Sequence, residues 1–218
     1  LVNNPRVSIK IVKSAFTTID KSKEFLNREL NKKIIYGVNT GFGPMASHIM
    51  GQTQITKLQE NLIRSHAVGM GEMIDEAYVL AAMVVRLNTL VKGFSGVSSK
   101  LIKQLQIFIN RRIVPVVPEH GAVGASGDLV QLAHIALALM GEGEVFYKGK
   151  RQKTGKVLTQ LRIPPYTLGP KEGLALINGT SMMAGIAALI CMRTRQLISL
   201  SIKTGALSLE AIHGFNDS

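Results

Sequence analysis

The chain has 218 residues, enough for one large domain or two small ones with a real core. Hydrophobic residues make up 46% and charged residues 18%, a balance that excludes intrinsic disorder. The net charge of +12 raises nucleic acid and membrane lipid as partners. The basic residues are scattered in small groups such as Lys32-Lys33 and Arg111-Arg112, without interleaved aromatics, so neither partner is expected.

Apolar spacing predicts a first helix over 8–30, with Ile11, Ala15 and Ile19 on one face. Residues 34–38 read as a short β segment that runs into a turn-rich loop over 39–44. A second helix fits 54–66, and a third 75–91, with Asp75 as cap and Gly93 as terminator. Ser98 opens a fourth helix, ended near Pro115 and Pro118. A loop over 121–128 leads into a helix over 129–140, and a hairpin is expected over 144–153, around Lys148-Gly149-Lys150. The last helix covers 180–213, with Thr180 as its cap. Residues 174–192 are apolar enough to raise a membrane span. The polar run 178–181 and the arginines at 193 and 195 favour a buried helix instead. The fold class is mainly α, with small β elements. One cysteine, Cys191, excludes an internal disulfide framework, and no signal-peptide pattern opens the chain, so a cytoplasmic setting is expected. His48, His66, His120, His134 and His213 lack ligand spacing, and no metal is expected.

Ala125-Ser126-Gly127 carries distinctive chemistry. In a tight turn, the Gly127 nitrogen can attack the carbonyl of Ala125, because glycine lacks a Cβ and tolerates unusual angles. Loss of two waters, one from the Ser126 hydroxyl, would leave an imidazolone with an exocyclic methylidene. That group is an electrophile, which protein side chains otherwise do not supply. The helix N-terminus that follows would add positive potential. The tripeptide alone also reads as small residues before a helix, or as a phosphate cradle, although the Gly-Lys-Ser/Thr ending of a phosphate loop is missing.

Four segments occur in order: Tyr36-Gly37-Val38-Asn39-Thr40-Gly41-Phe42-Gly43, Asn61-Leu62-Ile63-Arg64-Ser65-His66, Gly124-Ala125-Ser126-Gly127-Asp128-Leu129 and Leu176-Ile177-Asn178-Gly179-Thr180-Ser181. Together they resemble the histidine/phenylalanine/tyrosine ammonia-lyase family, over essentially the whole chain. The resemblance implies that Ala125, Ser126 and Gly127 become the prosthetic group 4-methylidene-imidazol-5-one (MIO). It implies Tyr36 as the base for the β-proton and Asn178 as the residue holding the ring and the substrate. His66 takes the substrate-selectivity position, and Gly43 and Leu129 line the pocket. Asp128 assists cyclisation or caps its helix. Ser65-His66 is similar to the histidine lyases. Val130-Gln131 departs from the Ala-Pro typical of them, which keeps tyrosine in play.

The family fold implied is mainly helical, with residues 1–173 as a domain carrying the tripeptide loop and 174–218 as the start of a long-helix bundle. The chain would be the N-terminal part, a little under half, of a homotetrameric enzyme whose sites combine three subunits. The activity implied is elimination of ammonia from an aromatic L-amino acid, histidine to urocanate first and tyrosine to coumarate second. An aminomutase with the same residues is the alternative. The 218-residue chain by itself is expected to be inactive with its tripeptide left open, because part of the pocket would come from elsewhere.

Overall fold

A computed structural model of the chain describes residues 2, 4, 6–30, 32–41, 52–124 and 127–214. Three of the expected site residues, Gly43, Ala125 and Ser126, lie outside the described residues.

The mainly helical expectation holds. Helix α1 spans Lys13–Leu30 and α2 spans Gln52–His66. The first helix starts later than its apolar spacing suggests. Residues before it are held extended, because the Ile9 N–H donates to Asn110 Oδ1 at 2.7 Å and the Ile9 carbonyl accepts from Gln106 Nε2 at 2.9 Å. Helix α3, Glu76–Leu90, is capped by Asp75, whose Oδ1 accepts from the Ala77 N–H at 2.7 Å. Helix α4, Ser99–Arg111, is capped by Ser98, whose Oγ accepts from the Leu101 N–H at 3.2 Å. Helix α5 spans Leu129–Leu139.

The segment 34–38 is a turn, not a strand. The Asn39 side chain captures the Ile35 N–H at 2.6 Å and donates to the carbonyls of Leu30 and Lys33. Backbone groups satisfied within the turn have no need of a ladder partner.

Strands β1 (Met70–Met73), β2 (Val114–Pro115), β3 (Pro118–His120), β4 (Glu144–Tyr147) and β5 (Lys150–Lys153) form two small antiparallel sheets. β1 pairs with β3, and the order of the second sheet is β2-β4-β5. The expected hairpin is β4–β5, closed by Lys148-Gly149, both at positive φ. Two short helices follow, α6 (Thr154–Leu161) and α7 (Glu172–Ile177), and then the long helix α8 (Ser181–Ala211).

One continuous core joins these elements. Val79, Met83 and Leu90 of α3 meet Leu101, Leu105 and Phe108 of α4 and Leu132, Ile135 and Leu139 of α5. The apolar stretch 174–192 is not one buried helix. It is α7, a break at 178–180, and the beginning of α8. The first turns of α8 lie tight on α3, where a Cβ at Gly185 would sit 2.5 Å from the Ala82 nitrogen. Beyond residue 190 the helix runs exposed, with Leu197 at 66% and Leu207 at 71%. By length and composition, the segment Glu172–Ala211 could cross a membrane. The first turns of its helix α8 pack on α3 at Gly185, whereas beyond residue 190 it is exposed.

Glu172, at the start of α7, ties three elements together. Its Oε1 accepts from the Ser98 N–H at 2.8 Å; its Oε2 accepts from the Gly169 N–H at 2.7 Å and from the Tyr166 hydroxyl at 2.9 Å. Burial, and then the Glu172 carboxylate, push the Tyr166 phenol well above its ordinary pKa. Replacing Glu172 by Ala is expected to destabilise the natural-length protein by roughly 3–5 kcal/mol, since it strands buried donors, and Glu172→Gln by less. Thermal unfolding midpoints of the two variants check this order.

Candidate active site

The site is built around the break between α7 and α8. Three consecutive residues, Asn178, Gly179 and Thr180, connect the two helices. The break leaves carbonyls at the end of α7 and N–H groups at the start of α8 in need of partners, with Ile177 and Ser181 buried on either side of it.

Arg86 of α3 answers the carbonyls. Its guanidinium donates from Nη2 to the carbonyls of Ala175 and, at 2.6 Å, Asn178, and from Nη1 to Ser181 Oγ at 3.5 Å. The side chain is 5% exposed. Burial lowers its pKa to about 10, with the Asp128 carboxylate working in the opposite direction, so Arg86 stays cationic at neutral pH.

Asp128 answers the N–H groups. Its Oδ2 accepts from the Met182 N–H at 2.8 Å and from the Met183 N–H at 3.0 Å. This corrects two expectations. Thr180 makes no side-chain cap for α8, and Asp128 makes none for its own helix α5. The carboxylate reaches across to the neighbouring helix because the chain folds α8 against the start of α5, where its own helix lies behind it. A positive group at the end of α7 and a negative group at the start of α8 suit both helix dipoles.

This joint brings Gly127 to the segment carrying Asn178. The Asp128 N–H donates to the Gly179 carbonyl at 2.8 Å. Gly127 has φ +111, and a Cβ there would overlap the same carbonyl oxygen. Only glycine fits at 127, so the residue that would supply the ring nitrogen sits on the segment carrying Asn178. The backbone carbonyl of Asn178 is taken by Arg86, while its side chain is exposed. Leu129 opens α5 half-buried and packs on the core.

Tyr36 is 57% exposed at the apex of its turn. Beneath it the turn is firm: Thr40 Oγ1 accepts from the Gly37 N–H at 3.1 Å and donates to the Gly41 carbonyl at 2.9 Å. Gln59 of α2, fully buried, links this turn to the site. Its Nε2 donates to the Gly37 carbonyl at 3.2 Å, and its Oε1 accepts from the Leu174 N–H at 3.1 Å. The Tyr36 turn is therefore tied to the helix that ends at Asn178. His66 closes α2, half-buried. Its Nδ1 lies 2.8 Å from the Leu62 carbonyl, which can only accept, so Nδ1 carries the proton and Nε2 is left as an acceptor.

Sequence reasoning passed over Arg86 and Gln59. The signal for Arg86 was a charge on an apolar helical face, in register with Val79, Met83 and Leu90. Gln59 had no comparable signal. At the departure Val130-Gln131, Gln131 is buried; its Nε2 donates to the Glu119 carbonyl at 3.0 Å, and its Oε1 has no hydrogen-bond partner among the described residues.

An open cleft of about 480 Å³ flanks the tripeptide loop, lined by Val123, Gly124, Asp128, Met183, Ile186 and Ile190 among others. Tyr36, His66 and Asn178 do not line it. Among the described residues, no group of three His, Cys, Asp or Glu side chains converges as metal ligands do.

The family model for aromatic amino acid lyases matches residues 1–218. The chain is 44% identical over 212 residues to a histidine ammonia-lyase of Macrococcus caseolyticus, covering 97% of this chain and 42% of that protein. It is 47% identical over 192 residues to a probable histidine ammonia-lyase of Thermoplasma volcanium, covering 88% and 39%. Among solved structures it superposes on a histidine ammonia-lyase from Trypanosoma cruzi with a TM-score of 0.92 at 34% identity, over 99% of this chain and 42% of that one. A phenylalanine aminomutase of Pantoea agglomerans gives 0.91 at 33% identity, over 97% and 41%. The chain thus spans less than half the length of these relatives.

Replacing Asp128 by Ala removes the acceptor of two buried N–H groups. The expected loss is about 1–3 kcal/mol, with a smaller loss for Asp128→Asn, which keeps one acceptor oxygen. Amide hydrogen exchange at Met182 and Met183 is expected to speed up in Asp128→Ala, and unchanged exchange there would remove the cap assignment.

Proposed function

The chain belongs to the aromatic amino acid lyase family, and we propose that it forms the N-terminal part of an ammonia-lyase acting on an aromatic L-amino acid, with histidine as the substrate. The observation that carries the reading is the packing of Gly127 on Gly179, which joins the ring-forming tripeptide to the Asn178 segment.

The residues present fit an MIO group at Ala125-Ser126-Gly127. Gly127 occupies a position that a Cβ would fill with a clash. Its successor Asp128 is fastened through its N–H to Gly179 and through its carboxylate to α8. When formed, this group supplies an electrophile that makes the substrate amine a leaving group. Tyr36 takes the β-proton: its exposure at the apex of a braced turn suits a group that must meet a substrate. The Asn178 side chain orients the substrate. The acceptor Nε2 of His66 receives the N–H of an imidazole or the O–H of a phenol, which is why this position alone does not choose between histidine and tyrosine. Ser65-His66 and the names of the relatives favour histidine. Leu129 and Gly43 complete the pocket wall.

The likeness to an aminomutase supports a second reading, in which the ammonia is added back at the β-carbon. The exposed apolar stretch of α8 supports residues 174–218 as the start of a helical bundle, and a homotetramer as the working assembly. The setting is cytoplasmic, without nucleic acid or membrane as partner.

Incubating the natural-length protein with histidine, tyrosine and phenylalanine is expected to release urocanate fastest, followed by its absorbance. A β-amino acid as the main product would replace the lyase reading by the mutase one. Tyr36→Phe is expected to lower kcat by about 10²–10⁴-fold, the range for loss of a general base.

A further inference from the structure

Arg86 stands behind the joint, and its placement reaches the tripeptide through one intermediate residue. A Cβ added to Gly179 would overlap Arg86 Nη1, and a Cβ added to Gly127 would overlap the Gly179 carbonyl oxygen. Guanidinium, Gly179 and Gly127 are thus stacked with no room between them. The guanidinium itself is fixed by acceptors on both sides of Gly179: the carbonyls of Ala175 and Asn178 before it, and Ser181 Oγ after it. The hydrogen bond from the Asp128 N–H to the Gly179 carbonyl carries the same constraint past Gly127.

We propose that Arg86 is a positioning residue for closure of the Ala125-Ser126-Gly127 ring, acting through Gly179 to hold the Gly127 backbone in place. The inference rests on the function proposed above. Ring closure forms a bond from the Gly127 nitrogen to the Ala125 carbonyl carbon. The carbonyl oxygen leaves as water with the amide protons of Gly127 and Ser126. A second water takes the Ser126 hydroxyl and the Ser126 α-proton, leaving the double bond. Arg86 touches none of these atoms. Its part is to deny Gly179, and hence Gly127, the space to retreat when the turn is compressed. A planar fork with several donors can span carbonyls on one side and a hydroxyl on the other; an ammonium supplies the charge without that reach.

The test uses the natural-length protein as wild type, Arg86→Lys, Arg86→Met and Val157→Ala, the last a buried deletion in α6. The mass of the proteolytic peptide carrying the tripeptide is followed over time after synthesis, since closure removes two waters. Wild type and Val157→Ala are expected to dehydrate fully. Arg86→Met and Arg86→Lys are expected to do so about 100-fold more slowly, the scale of a reacting atom out of place. An Arg86→Met protein dehydrated at the wild-type rate overturns the proposal; if that variant is insoluble, Arg86→Lys decides by the same criterion. An equal delay in Val157→Ala also overturns it, because any weakening of the fold would then suffice. A wild-type peptide that never loses the two waters overturns the proposed cofactor and this inference together, whereas an Arg86 variant that loses them as fast as a dehydrating wild type overturns this inference alone.

Discussion

A helix cannot end inside a protein without leaving polar backbone groups in need of partners, and the site depends on how one such ending is managed. Between α7 and α8 the chain breaks for three residues, themselves exposed or half-buried but flanked by the buried Ile177 and Ser181. Arg86 takes the carbonyls on one side, and Asp128 takes the N–H groups on the other. Each charge sits at the helix end whose dipole favours it. Each also comes from another element, α3 in one case and the residue before α5 in the other. The break therefore fixes four helices relative to one another as well as satisfying itself.

Gly127 and the Asn178 segment meet where this constraint is tightest. Gly127 touches the Gly179 carbonyl, and Asn178 is the neighbour of Gly179. The starts of α5 and α8 converge there with the Arg86 cation, against the single carboxylate of Asp128. Two helix N-termini and a cation give such a place a positive potential. Farther out, Gln59 extends the same scaffold to the Tyr36 turn, by joining the Gly37 carbonyl to the Leu174 N–H. A buried amide with a donor and an acceptor can bridge two backbones in this way, and an apolar residue of the same size cannot.

Local patterns were legible where they depend on neighbours in sequence. Asp75 and Ser98 cap the helices that follow them, because a cap bonds two or three residues ahead. The β4–β5 hairpin follows from its two-residue turn. Residues 34–38 misled, because an apolar pattern does not reveal that the side chain of the next residue, Asn39, folds back to close the turn. Thr180 misled for a related reason: a good capping residue was present, but a carboxylate from 54 residues away took its place.

The sequence by itself determined the helical class and the family likeness, because those reside in residue identity and short spacing. Only the tertiary structure decided what holds the candidate site together. Arg86 and Gln59 belong to no motif, and Asp128 turned out to serve a different helix from its own. Their partners are 22 to 115 residues away along the chain. Contacts at that separation are set by how helices pack, and helix packing follows from the shape of whole faces rather than from any local string of residues.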